Sequence, residues 1–120
     1  MIPLALGLVW LQMHLNNQPI SWTSFSPAEL DRNLKDGYVV LVNFRATWDI
    51  QTVRHEQLAL EQVSVRRWIR AHHVMTMRAD YTNRAPEITA ALQSIGRVAI
   101  PAVAIYLPSS PDEPIYYSMK

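Results

Sequence analysis

The sequence predicts one α/β domain, a mixed sheet with flanking helices, on three observations. Strand-like and helix-like segments alternate along most of the chain. The segments Tyr38–Phe44 and Ala102–Leu107 are almost wholly apolar, as in strands covered on both faces. A composition of 49% apolar and 18% charged residues over 120 positions supplies a core for one domain rather than two. A chain of this length buries roughly two-thirds of its unfolded surface, so the fold needs neither a metal nor a disulfide.

The apolar stretch Met1–Met13 (MIPLALGLVWLQM) sets off an N-terminal segment, 1–20, from the domain, 21–120. It is shorter than the ~18 to 20 residues that span a bilayer. It also lacks the cationic start and small-residue cleavage site of a secretory signal. Three readings stay open: a segment that packs on the domain or is partly disordered, a clipped transmembrane helix, or an atypical signal. A first strand, Ser21–Phe25, then leads to a helix. Ser26 as N-cap, Pro27 in the first turn and Glu29 as the capping-box acid mark its start, and it runs toward Gly37. Tyr38–Phe44 is a central strand. From Ile50 to Ala71 the apolar points Val53, Leu58, Val63, Trp68 and Ile69 indicate a helix, with a break near Ala59–Ser64. Val74–Asp80 alternates, with Met75, Met77 and Ala79 on one face and Thr76 and Arg78 on the other, so both methionines are expected in the core. A third helix, Pro86–Ile95, ends at Gly96 as its C-cap. After Pro101 comes the buried strand Ala102–Leu107. Pro108, Ser109, Ser110, Pro111 and Pro114 then form a turn-rich connection to a short last strand, Ile115–Met119. Strands separated by helices of this length imply right-handed crossovers and a sheet with parallel members, and the final pair adds an antiparallel hairpin.

The absence of cysteine excludes a disulfide framework, a zinc-thiolate site, an Fe–S cluster and a thiol nucleophile within this chain. A formal charge of +1 and a pI near 8.1 provide no basic field for nucleic acid. Arg66, Arg67, Arg70 and Arg78 read as a solvated helix flank, since no aromatic residues interleave them for base stacking. His14, His55, His72 and His73 form neither an HExxH motif nor an i, i+4 pair, so no metal site is expected. With 3 glycines and no G-x-S-x-G or phosphate-cradling loop, hydrolase and nucleotide-binding readings lack their backbone devices. Asp49 and Asp80 do not read as a catalytic carboxylate pair, because Asp80 sits beside Thr82 and Asn83, where turn formation accounts for it. No cofactor is expected.

The runs VVLVNFRATWDIQTVRHEQ, RADYTN and IGRVAIPAVAIYLP place Trp48 before a long helix and Ile100-Pro101 before a late strand. In order and spacing, over about Trp22–Tyr117, they resemble the C-terminal thioredoxin-like domain of the DsbD family of transmembrane thiol:disulfide interchange proteins. The resemblance implies a thioredoxin-like fold. In that family Cys-x-x-Cys follows the tryptophan, and the four places here are Asp49, Ile50, Gln51 and Thr52, so oxidoreductase activity does not carry over from a site this degenerate. Asp49 reads as an ordinary helix N-cap, with Thr47 as a competitor for that role. The family's acid before the tryptophan is lost at Thr47. Its carboxylate four places after the second cysteine is matched by Glu56, read here as a solvated helix residue beside Arg54 and His55.

The resemblance further implies a cis peptide at Ile100-Pro101. It also implies a shallow groove of Trp48, Asp49, Ile100 and Pro101 that receives a peptide strand through backbone hydrogen bonds. The helix that closes such domains after the final hairpin is expected to be absent. Either Met1–Leu15 covers the sheet or an apolar face contacts another chain, and truncation explains the absence equally well. The expected function is a redox-inactive binding or scaffolding module. The alternatives are a docking component of a thiol:disulfide interchange system whose cysteines lie on a partner, and a fragment with no separate activity. Expected partners are extended polypeptide or a partner protein, with no nucleic acid. Membrane association is expected only through the N-terminal segment, and oligomers only through the uncovered sheet face. A bacterial periplasm or cell-envelope location follows from the resemblance alone.

Overall fold

The computed structural model describes residues 19–96 and 100–118. The expectations for Met1–Leu15, His14 and Met119 lie outside the described residues. Strand β1 (Thr23–Ser24) is followed by α1 (Pro27–Lys35), β2 (Val40–Arg45) and α2 (Ile50–His55). Helix α2 continues into a π-helical segment, Glu56–Leu60, and then come α3 (Val63–Ala71), β3 (Met75–Asp80), α4 (Pro86–Ser94), β4 (Ala102–Leu107) and β5 (Ser110–Ser118). The strands form one mixed sheet in the order β1-β3-β2-β4-β5. Strand β3 runs parallel to β1 and β2, while β4 is antiparallel to both β2 and β5. Among the described residues this gives five strands and four helices, the thioredoxin-like α/β arrangement that the resemblance implies.

Local chemistry explains the boundaries. The Ser26 side chain accepts from the Glu29 N–H at 3.4 Å, and Pro27 occupies the first turn of α1, as the capping pattern requires. Helix α1 ends just before Gly37, whose φ of +89° suits the residue without a Cβ. Helix α4 likewise stops before Gly96, at φ +72°.

Along β2 the side chains alternate between two cores. Val40, Val42 and Phe44 enter the larger one, with Leu34 of α1, Met77 and Ala79 of β3, Ile88 and Leu92 of α4, and Ala102, Ala104 and Tyr106 of β4. Leu41 enters the smaller one on the opposite face, with Leu60, Val74 and Val103, and with Ile20, Trp22, Trp68, Ile69 and Ile105 packed around them. Each fully buried aliphatic or aromatic side chain stabilises such a core by about 1.5–3 kcal/mol.

Four expectations are corrected. Strand β5 begins at Ser110 rather than Ile115, and Leu107 pairs with Ser110 across a register irregularity. Pro111 and Pro114 fit there because β5 is an edge strand, where a missing N–H removes no necessary ladder bond. Met75 is 37% exposed, whereas Met77 is 2% exposed in the core. Strand β1 pairs only with Met77 and Arg78, which leaves Met75 without a strand neighbour on that side. In the long helical stretch Val53, Leu58 and Val63 are exposed, and the buried positions of α2 are Thr52 and His55. The basic residues are not uniformly solvated either. Arg66 is mostly buried and donates to the Glu61 carbonyl oxygen at 2.8 Å, and Arg78, on β3, lies over the Trp22 ring. Among the described residues no helix is long and apolar enough to cross a membrane.

Candidate functional site

The parallel strands β2 and β3 end together at Arg45 and Asp80, and β4 begins beside them, opposite Phe44. The chain leaving β2 turns through Ala46–Trp48 into α2, so the degenerate motif lies at this end of the sheet. Asp49 is the N-cap: its Oδ1 accepts from the Gln51 N–H at 2.9 Å, and its carbonyl accepts from the Thr52 N–H at 3.0 Å. Thr47 does not compete for that role. Its backbone N–H donates to Thr82 Oγ1 at 3.0 Å, and the two hydroxyls are 3.3 Å apart. Thr52 is fully buried, and its Oγ1 accepts from the Ala46 N–H at 3.3 Å, which ties the turn to the first turn of the helix. The two places where the resembled family has cysteines therefore hold a helix cap and a buried structural hydroxyl. Neither carries a thiol.

Polar side chains stitch this end together. Glu56 Oε2 accepts from Asn43 Nδ2 at 2.7 Å and from Arg45 Nε at 2.6 Å, and Arg45 Nη1 reaches Asp80 Oδ2 at 3.5 Å. Asp80 Oδ1 in turn accepts from the Thr82 N–H at 3.0 Å and from the Thr82 hydroxyl. The Thr82 carbonyl accepts from the Trp48 indole N–H at 3.2 Å. Glu56 is thus no solvated surface residue. Its side chain is 20% exposed and joins the π segment to β2. Asp80 serves the turn, as its neighbours predicted. Burial alone would raise its pKa, but the Thr82 hydrogen bonds and the charges of Arg45 and Arg78 hold the carboxyl below the ordinary range. His55 is fully buried, and that burial lowers its pKa against the opposing pull of Glu56.

Of the four residues expected to line a groove, Trp48 is 50% exposed, while Asp49, Ile100 and Pro101 are buried. The Ile100-Pro101 peptide is cis, as expected. Arg84 sets its guanidinium 4.9 Å above the Trp48 ring and fixes its outer face in a cation–π contact. Beside Trp48, Ile50 is 85% exposed and Val53 50% exposed. At i, i+3 spacing these two share one solvent-facing side of α2 and form an apolar ridge, with the half-exposed Trp48 just ahead of it in the chain. Sequence reasoning missed Asn43, Arg45, Thr82 and Arg84 as parts of this site, because turn chemistry at Asp80 accounts for Thr82 and no local pattern gives the other three a role here. It also gave no sign that Val53, one of the apolar points that mark the helix, faces solvent. His72 and His73 end α3 without meeting a third ligand, and among the described residues no His, Asp or Glu cluster could hold a metal ion.

A family profile described as thioredoxin-like matches residues 21–108. Among solved structures, the oxidised C-terminal domain of DsbD from Neisseria meningitidis superposes with a TM-score of 0.62 at 24% identity, covering 83% of this chain and 90% of that one. The reduced form of the same domain gives a TM-score of 0.58 at 26% identity, with 78% and 82% covered. A thioredoxin from Thermus thermophilus, at 14% identity, gives 0.60 over 84% of this chain and 74% of its own. No curated protein sequence matches significantly.

Proposed function

Because the chain belongs to the thioredoxin-like family and carries Asp49 and Thr52 where the resembled domains carry cysteines, we propose that it is a redox-inactive protein-binding or scaffolding domain. It receives extended polypeptide around Trp48. One observation supports this reading above the rest, the inverted polarity of α2. Thr52 and His55 face inward while Ile50 and Val53 face solvent next to a half-exposed Trp48. A helix that served only the fold would place its apolar side chains inside. Because Asp49, Ile100 and Pro101 are buried, a bound segment would meet the exposed side chains of Trp48, Ile50 and Val53 rather than a groove that includes the other three.

The ridge sets the scale of binding. Covering the exposed parts of Trp48, Ile50 and Val53 removes apolar surface worth about 3–4 kcal/mol before the cost of association, so binding is weak, with a dissociation constant no tighter than about millimolar. Fluorescence anisotropy of a labelled unfolded peptide alternating Leu and Ser tests this. The natural sequence binds in that range, and a variant with Ile50→Asp and Val53→Asp, both exposed and therefore tolerated, does not. Equal binding by the two proteins would sink the proposal.

A second reading makes the domain the docking component of a thiol:disulfide interchange system in a bacterial cell envelope, with the cysteines on a partner. It draws on the likeness to the DsbD C-terminal domain. This reading requires a cysteine-bearing partner whose disulfide turnover slows when Ile50 and Val53 are charged. The first does not.

A further inference from the structure

The second face of the sheet carries a trough that the proposed function does not use. It is lined by Leu41, Ala59, Leu60, Val65, Trp68, Val103 and Ile105, with a volume of about 200 Å³. No lining residue is charged. Leu58, 61% exposed, adjoins it in sequence, and Ile115, also 61% exposed, pairs in register with Ile105. Apolar surface therefore continues beyond the trough on the π segment and on β5.

We propose that this trough is the docking site of the chain's own N-terminal apolar segment, Leu4–Trp10. Three observations favour that occupant. The first is polarity: the sequence holds no Asp, Glu, Lys or Arg before Glu29, so the segment matches a trough with no charge. The second is continuity, because Ile20 and Trp22 pack against the cluster that contains Leu41, Leu60, Trp68, Val103 and Ile105. The chain therefore enters the described fold on the face that bears the trough. The third is reach. Residues 11–18 extend to about 27 Å, whereas the three strand steps from β1 to β4 amount to about 14 Å. The surplus lets the chain round α3, a helix about 10 Å across. A trough of this size holds one or two aliphatic side chains, and an apolar cavity of that kind gains by filling with them rather than with water.

The absence of cysteine makes the test direct. A nitroxide is attached through Leu58→Cys, and in a second protein through Gln62→Cys, both at exposed positions, and amide signals of residues 4–10 are followed by NMR. With label and isotope on the same chain those amides lose most of their intensity. They keep it when the label sits on a separate, unlabelled-isotope copy. Leu4→Asp with Leu8→Asp restores the intensity and shifts the amides that line the trough, while the amides of α1 and α4 on the opposite face keep their shifts. Undiminished residue 4–10 signals with both labels would overturn the proposal. Equal broadening in the mixed sample would overturn it too, by assigning the trough to a second copy. Neither outcome touches the Trp48 ridge.

Discussion

Replacing Glu56 with alanine removes one carboxylate oxygen that accepts from both Asn43 Nδ2, at 2.7 Å, and Arg45 Nε, at 2.6 Å. Asn43 is fully buried, so its amide donor loses its partner where water cannot substitute, at a cost of about 1–3 kcal/mol. Arg45 and Glu56 side chains are 15% and 20% exposed, which places the pair between a surface bridge and a buried one. Arg45 keeps Asp80 at 3.5 Å, so losing the pair adds only about 1 kcal/mol. The sum, about 3 kcal/mol, lowers the melting temperature by roughly 12 °C in a domain of this size. Urea unfolding measures it as a fall in midpoint at unchanged m. Glu56→Gln retains an acceptor for Asn43 and loses less. Asn43→Ala combined with Glu56→Ala shows a coupling of about 1 kcal/mol, as expected for residues in one network. A loss below about 0.5 kcal/mol for Glu56→Ala, the value for an ordinary surface substitution, would refute the network's structural role.

Further predictions concern the site. The folded-state pKa of His55 is lowered by burial, so the unfolded chain takes up a proton first as pH falls. Stability therefore declines below about pH 6.5 by at most about 1.4 kcal/mol per pH unit, and His55→Gln flattens that slope in unfolding titrations. The lowered pKa of Asp80 adds a separate loss only below about pH 4, which the His55 variant retains. Asp49→Ala removes the cap of α2 and costs about 1 kcal/mol in chemical unfolding, while Thr47→Ala, which caps nothing, costs clearly less. Asp49→Cys with Thr52→Cys places a thiol where the Gln51 N–H meets the Asp49 side chain, so thiol titration finds a depressed pKa and a reductase assay finds activity. An ordinary thiol pKa would mean that the site no longer stabilises an anion there.

The sequence revealed the fold wherever chemistry is local. Ser26, Pro27 and Glu29 encode the start of α1 within four residues, and β2 and β4 announce themselves as unbroken apolar runs. It misled in the helix after Trp48. The buried stripe there is Thr52, His55, Glu56, Ala59 and Leu60, spaced as a helix requires but more than half polar, so hydrophobicity does not mark it. The π turn, closed by the Glu61 N–H on the Glu56 carbonyl at 2.8 Å, then breaks the 3.6-residue phase before α3. Asn43 hid inside an apolar run because its partner, Glu56, is separated from it by 13 positions and a turn of chain. Trp48 and the Ile100-Pro101 step were legible through the resemblance. The solvent-facing position of Ile50 and Val53 was not, since apolar residues in a helix are read by default as facing inward.

The most direct test of the binding account is an amide-resolved NMR titration of the unmodified protein with the unfolded Leu/Ser peptide. The amides of Trp48, Asp49, Ile50, Val53 and Ile100 should shift together and saturate in the millimolar range, with the residues of α1 and α4 unmoved. Absence of shifts at those five positions at millimolar peptide, or shifts confined to another face, would contradict it.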